Sequence, residues 1–332
     1  MILVLAEAGR NTSGVAESKF HFQLFLNVWK NGSDKIKLEF FEKNPRVMKK
    51  ILWGVIFLSA FYLVSGQLRA WSPESAVPLK VHFLDVGQGD AVLIDYQGGY
   101  QVLIDAGPSG EKLLKQLGQV LPPGDKKIEI ALLTHPDKDH LAGFLDLLDN
   151  FQVDLFLTNG QKADSGTFSA FEEKLKEKEI KRETVYEGSV WSIGRDLEFQ
   201  VFNPDSEMGE EKGEKNEQSV VLRMEFGQNS FLFAADAERV TEVDLLSDGE
   251  IGPVDWLKVA HHGSKNATTE EFLAAAQPEK AIISVGKNSY GHPTQEVLSR
   301  LEKAGAEIFR TDQHGTISVF CLSSKQSCQK AD

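Results

Sequence analysis

Short apolar-rich runs at Leu79 to Leu84, Ala91 to Asp95 and Gln101 to Ile104, with Gln97-Gly98-Gly99 between the last two, predict successive strands of a meander. Ile128 to Leu133 (IEIALL) has the continuous apolar character of a buried strand, and Leu141-Ala-Gly-Phe-Leu-Asp-Leu-Leu has the opening turns of a helix. Further helices are expected at Glu111 to Leu121 and Ser169 to Glu179. Further strands are expected from Ser230, from Asp255, at Ala281 to Val285 and at Glu307 to Arg310. Strands and helices interleave through both halves, as a two-sheet α/β sandwich with outer helices requires. A charged, glycine-punctuated stretch, Glu207 to Glu217, reads as an exposed loop.

Polar side chains break this pattern where it matters. Directly behind the run that ends at Leu133 comes Thr134-His135-Pro136-Asp137-Lys138-Asp139-His140, four metal-ligating side chains in six residues. A strand-to-helix corner places such groups at a strand's carboxyl end, where crevices form in α/β folds. If the corner stays extended, His135, Asp137 and Asp139 point one way and His140 the other, so that one loop serves two neighbouring ions. The bland alternative is a polar turn in which Asp137 or Asp139 caps the next helix. Two more strand ends repeat the arrangement: Ser230 to Ala235 terminates in Asp236, and Asp255 to Ala260 terminates in His261-His262-Gly263-Ser264. A single Asp after a strand is ordinarily a turn residue; recurrence at three strand ends favours a shared cation site.

Through these motifs the sequence resembles the metallo-β-lactamase superfamily and, within it, the hydrolase domain of the competence-related DNA-uptake channel proteins. The resemblance runs from Leu79 to Cys321. It is carried by residues 82–90 (HFLDVGQGD), 102–107 (VLIDAG), the 135–140 cluster, Asn216-Glu-Gln-Ser219-Val-Val, Ala235-Asp236-Ala-Glu238, His261-His-Gly-Ser264, Asn288-Ser-Tyr-Gly-His292-Pro293 and residues 310–315 (RTDQHG). It implies a four-layer αββα sandwich with a metal site between the open edges of its sheets. It further implies metal-ligand roles for His135, Asp137, Asp139, His140, Asp236 and His261, with Asp236 shared by two metals and Asp105 and Ser219 bracing the ligand loop. Two departures from the superfamily's commonest pattern stand out: Asp137 occupies the place of a second histidine, and no histidine lies between His140 and His261.

That ligand set decides the chemistry. Three histidines and three carboxylates make a mixed nitrogen and oxygen site that suits two divalent ions, Zn²⁺ or Mn²⁺. Such ions activate water and neutralise substrate oxygens. His262 and His292, with Asp139, are catalytic candidates to assist a leaving oxygen or hold an oxyanion. Gly87, Gln88, Gly89 and Asp90 are expected at the substrate, offering backbone N–H groups to a phosphate, although a tight strand connection accounts for the glycines equally well. Lys265 and Lys287 are expected at the mouth.

Amino-terminal to all this, Met48-Lys49-Lys50, the apolar Ile51 to Val64 and Ser65-Gly66-Gln67 form the pattern of an export signal over 48–70, or of a membrane anchor if it stays uncleaved. A buried helix is the alternative. Residues 1–47 are expected to be an upstream extension, with translation starting at Met48. Residues 79–322 form the hydrolase domain and 323–332 a carboxyl-terminal tail. Export suits Cys321 and Cys328, the only cysteines, which can pair across a short loop. Residues 80–332 carry 43 Asp and Glu against 26 Lys and Arg, which leaves no general electrostatic footprint for a polyanion. The leading expectation is an exported metal-dependent hydrolase acting on phosphodiesters of nucleic acid, working with a separate membrane channel partner. An acyl or lactam hydrolase, and a non-catalytic binding module with an incomplete metal site, are the alternatives.

Overall fold

The computed structural model describes residues 79–205 and 216–331; the expected extension at 1–47, the leader at 48–70 and most of the charged loop from Glu207 lie outside them. Two sheets carry the fold. The first contains β1 (Leu79–Phe83), β2 (Val92–Tyr96), β3 (Tyr100–Ile104), β4 (Lys127–Leu133), β5 (Gln152–Thr158) and β6 (Lys181–Thr184) in sequential order. β1, β2 and β3 form the expected antiparallel meander, after which β3 to β6 run parallel. Parallel neighbours need crossovers, and the helices α1 (Gly110–Val120), α2 (Lys138–Leu141) with α3 (Gly143–Asn150), and α4 (Gly166–Glu177) supply them.

The second sheet repeats the plan. β7 (Val190–Ile193), β8 (Leu197–Asn203), β9 (Val221–Phe226) and β10 (Asn229–Phe233) are antiparallel; β10, β11 (Trp256–Lys258), β12 (Lys280–Ile283) and β13 (Glu307–Arg310) are parallel. Their crossovers are α5 (Arg239–Ser247), α6 (Glu270–Ala276) and α7 (Gln295–Ala304). The short α8 (Thr311–His314) then leads into β14 (Ile317–Cys321), which returns to the first sheet beside β1.

Strand alternation explains the layers. Val81, Phe83, Val92, Ile94, Phe199, Leu222, Phe231 and Trp256 point into one apolar layer between the sheets. Leu93, Leu103, Ala131, Leu133 and Phe156 face outward and are covered by Leu113, Leu117, Phe144, Leu147 and Phe171 of the first helix layer. Leu232, Leu257, Ala281 and Ile283 are covered by Leu245, Phe272, Leu273, Val297 and Leu301 of the other. The order helix, sheet, sheet, helix is the expected αββα sandwich.

Several boundaries differ from expectation for local reasons. α4 starts at Gly166, ahead of Ser169, because Ser165 accepts a hydrogen bond from the Phe168 N–H and caps it. The helix expected from Leu141 is two pieces. Gly143 sits so close to the end of β3 that a Cβ there would lie 1.9 Å from the Ala106 carbonyl oxygen. The stretch expected as a plain tail turns back instead: a disulfide joins Cys321 to Cys328, and β15 (Gln329–Lys330) pairs with β14 at the edge of the first sheet. Among the described residues no helix is long and apolar enough to cross a membrane.

Candidate metal centre

The carboxyl ends of parallel strands in both sheets open onto one cleft. β3 delivers Asp105, β4 delivers the 135–140 corner, β10 delivers Asp236, and β11 delivers His261 and His262. Asp105, His261 and His262 have φ of 57°, 47° and 54°, and Ala235 has 45°. Left-handed backbone at non-glycine residues is costly and persists where its surroundings over-determine it. Here it re-aims side chains from the strand directions into the cleft.

The corner does not stay extended. The Asp137 carbonyl accepts hydrogen bonds from the His140 and Leu141 N–H groups, so the chain turns through α2. The expected alternation therefore fails: His135 and His140 face each other, with ring centroids 4.1 Å apart. Asp137 occupies the position before the helix but makes no side-chain capping bond, which removes the capping alternative for that residue. Its Oδ2 lies 4.0 Å from His135 Nε2.

Asp236 is the hub. Its carboxylate is 3.3 Å from His140 Nε2, 3.8 Å from His135 Nε2, 3.8 Å from His262 Nε2 and 3.7 Å from His261 Nε2. His262 Nε2 is also 3.3 Å from Asp139 Oδ2. Every one of these imidazoles is held from behind through Nδ1: His140 by Asp105 at 2.7 Å, His135 by Thr134 Oγ1 at 3.0 Å, His261 by Glu238 at 2.9 Å, and His262 by the Ser284 carbonyl at 2.9 Å. Asp105 additionally accepts the Thr134 N–H and hydroxyl, each at 2.8 Å, and so locks the loop that carries His135.

The donor set fits cations. His135, His140, His262 and Asp236 are buried, yet their inward Nε2 atoms and Asp236 Oδ1 have no hydrogen-bond partner. Buried polar atoms without partners are costly unless something else engages them. Ligand atoms of His135, His140 and Asp236 lie within 4.8 Å of one another, and so do those of Asp139, His140 and His262. Imidazoles oriented through Nδ1 with Nε2 left open are the arrangement metal-binding histidines use.

Electrostatics point the same way. Burial works against charge on His140, but Asp236 and Asp105 outweigh it and hold its pKa well above the ordinary value. Burial likewise opposes His262, whose pKa rises to about 10 under Asp236 and Asp90. Burial would raise Asp236 and Asp139, yet both are pushed well below the usual carboxylate range, chiefly by His140 for the first and His262 for the second. His135 goes the other way, down to about 4, through burial and the neighbouring His140. The same carboxylates that draw protons to His140 and His262 would attract a cation, which must displace those protons because imidazole ligates only when neutral.

Other expected site residues fall into place differently. His262 is fully buried in the cluster, whereas the partly exposed His261 belongs to none of the compact three-ligand groups. Asp90, expected at the substrate, is buried behind His262, its Oδ1 3.2 Å from Nδ1, and forms an ion pair with Lys258. The Gly87–Gly89 turn packs against the ligand loop. A Cβ on Gly89 would lie 2.3 Å from the Asp139 carbonyl, the Gly87 N–H is donated to Asp85, and the Asp90 N–H to Asp139. A tight strand connection therefore accounts for both of those amides. Ser219 is buried and donates to the Asn216 carbonyl, while the next N–H, on Val220, binds the Thr134 carbonyl beside His135. His292 stands at the rim, 5.6 Å from the His261 ring. Lys265 and Lys287 are exposed. Sequence reasoning gave no role to two participants, Lys258 and Glu238, although the second lies in a motif that carries the resemblance. A lone lysine inside the apolar run Trp256 to Ala260 was the available signal for the first.

A profile described as the metallo-beta-lactamase superfamily matches residues 84–287. The chain belongs to this superfamily. It is 35% identical over 263 residues to ComE operon protein 3 of Bacillus subtilis (strain 168), a match that covers 72% of this chain and 32% of that protein. It is 28% identical over 299 residues to Recombination protein 2 of Haemophilus influenzae, covering 87% of this chain and 34% of the relative. The chain thus spans about a third of the length of these curated relatives. Among solved structures, CmlA, a diiron β-hydroxylase from Streptomyces venezuelae, superposes with a TM-score of 0.50 at 16% identity over 70% of this chain and 53% of that one, a likeness of fold alone.

Proposed function

We propose that the cleft is a two-metal centre that hydrolyses phosphodiesters of nucleic acid strands. The observation that carries this reading is the convergence of inward-facing, partnerless Nε2 atoms on the Asp236 carboxylate from both sheets. In it, His135, His140 and Asp236, with Asp137 at the exposed side, would hold one ion. Asp139, His262 and Asp236, with His140 alongside, would hold the other. The ions, Zn²⁺ or Mn²⁺, would supply water activation and neutralise charge on the phosphoryl oxygens.

The ligand assignment changes accordingly. His262 takes the ligand role expected of His261, and Asp90 acts behind it as a positioning group. His261 takes the mouth: its ring is held through Nδ1 by Glu238, and with His292, whose ring is 5.6 Å away, it would deliver a proton to a leaving oxygen. The carboxylate-rich set favours hard cations, and such ions would neutralise the oxygens of a phosphodiester. Export, attachment to a membrane through residues 48–70 and work beside a separate channel partner belong to the same proposal; the basic doublet and apolar run of that segment support the first two.

The test is elemental analysis of the purified full chain together with hydrolysis of single-stranded DNA and of a chromogenic lactam. About two equivalents of metal with cleavage of DNA is the expected outcome, and Asp236→Ala should lose both metal and turnover. Lactam cleavage without DNA cleavage would favour an acyl hydrolase. A protein that stays metal-free and inert would be a binding module.

A further inference from the structure

Residues 286–293 form a braced loop at the rim of the cleft. Asn288 ties it together: its Oδ1 accepts the N–H groups of Tyr290 at 3.0 Å and His292 at 3.1 Å, and its Nδ2 donates to the carbonyls of Gly286 at 2.9 Å and His292 at 2.8 Å. The loop is anchored at both ends. Gly286 lies against the Gly87–Gln88 backbone, where a Cβ would come within 2.4 Å of the Gly87 carbonyl carbon, and Thr294 donates its N–H to the Gly263 carbonyl. Yet this loop holds Tyr290 at 73% exposure, the most exposed large apolar side chain among the described residues.

Aromatic rings lead inward from it, the inner pair meeting edge to face. The Tyr290 ring lies 5.7 Å from the His292 ring at a 32° tilt, and His292 lies 5.6 Å from His261, whose Nε2 is 3.7 Å from Asp236. Lys287, three positions ahead of Tyr290, is exposed. The domain's negative balance deprives a nucleic acid of general electrostatic attraction, so affinity must come from another source. Stacking on aromatic side chains is such a source, and it tolerates sequence because every base has a π-face.

We propose that Tyr290, backed by His292, is a stacking platform for an unpaired nucleobase of the strand whose phosphodiester reaches the Asp236 cluster. The inference rests on the phosphodiesterase reading for its substrate class. It adds a preference for single strands, because a duplex keeps its bases stacked on one another.

The test measures binding separately from turnover. Fluorescence anisotropy of the metal-free full chain compares a short oligothymidine with a strand of equal length that carries abasic linkers. The unaltered protein should bind the base-bearing strand about tenfold more tightly, the low end of what one base–aromatic stack contributes. Tyr290→Ala should bring that preference close to unity, and Tyr290→Trp should keep it. Running ribose and deoxyribose strands side by side identifies the sugar. Equal affinity of the unaltered protein for the two strands, including no measurable binding of either, overturns the platform. So does a preference that survives Tyr290→Ala. Hydrolysis of bis(p-nitrophenyl) phosphate by the metal-loaded chain reports on the catalytic reading alone, so either claim can fail without the other.

Discussion

His82 sits on β1 between Val81 and Phe83, which face the inter-sheet core, and so points to the opposite side. Its Nδ1 meets Ser318 Oγ at 2.7 Å, and its Nε2 is buried without a partner. Burial, with help from Lys80, lowers its pKa from 6.5 to about 4. The folded protein therefore keeps the ring neutral where the unfolded chain takes up a proton. Its contribution is fully present above pH 6.5 and is lost as pH falls towards about 4. Relative to His82→Phe, the unaltered protein should lose on the order of 2–3 kcal/mol across that window in chemical denaturation; parallel stability curves would refute this. At the same scale, sequence reading reached the cluster but not its arrangement. His261 and His262 are adjacent, and which of them enters the cluster depends on left-handed backbone at both, a property that no spacing rule reports.

β11 and the turn before β2 belong to different sheets, and the Lys258–Asp90 ion pair joins them at the cleft. Alternation puts Lys258 on the same side of β11 as Trp256, between the sheets, at the point where they part. Lys258→Met would leave the Asp90 carboxylate buried and unpaired, a loss of about 3–5 kcal/mol by analogy with broken buried pairs. Because Asp90 also touches His262, metal affinity should fall with it. A variant of normal stability and metal content would dismiss the pair as incidental. The strands themselves were legible, since continuous apolar runs such as 128–133 and 230–235, each closed by a polar residue, suit a buried strand and little else. The turn at α2 was less so. His-Pro-Asp-Lys-Asp-His suits an extended corner as well as a helical one, and the choice is made by tertiary contacts of Gly143 and Asp105.

Across the whole molecule, the cluster draws side chains from both sheets: His135, Asp139 and His140 from one, Asp236 and His262 from the other. A cation bound there ties the two halves together and favours the folded state. At a free metal concentration about 100 times its Kd, stabilisation should be about 2.7 kcal/mol, or roughly 5–10 °C in Tm for a domain of this size. Thermal unfolding with Zn²⁺, with Mn²⁺ and with a chelator measures it, and an unmoved Tm would speak against a shared site. The architecture was legible as a whole because strand-end chemistry recurs in order along the chain. The returning β14 and the β15 hairpin were not, since pairing with β1 links residues more than 230 positions apart.

That long-range pairing also gives the domain a front and a back. β1 begins at Leu79, opposite Cys321, and runs towards the turn that carries Asp90, so the chain enters at the rim remote from the cleft. The two ends of β1 are thus chemically unlike: Leu79 lies beside the Cys321–Cys328 disulfide at one, and Asp90 stands behind the histidines of the cluster at the other.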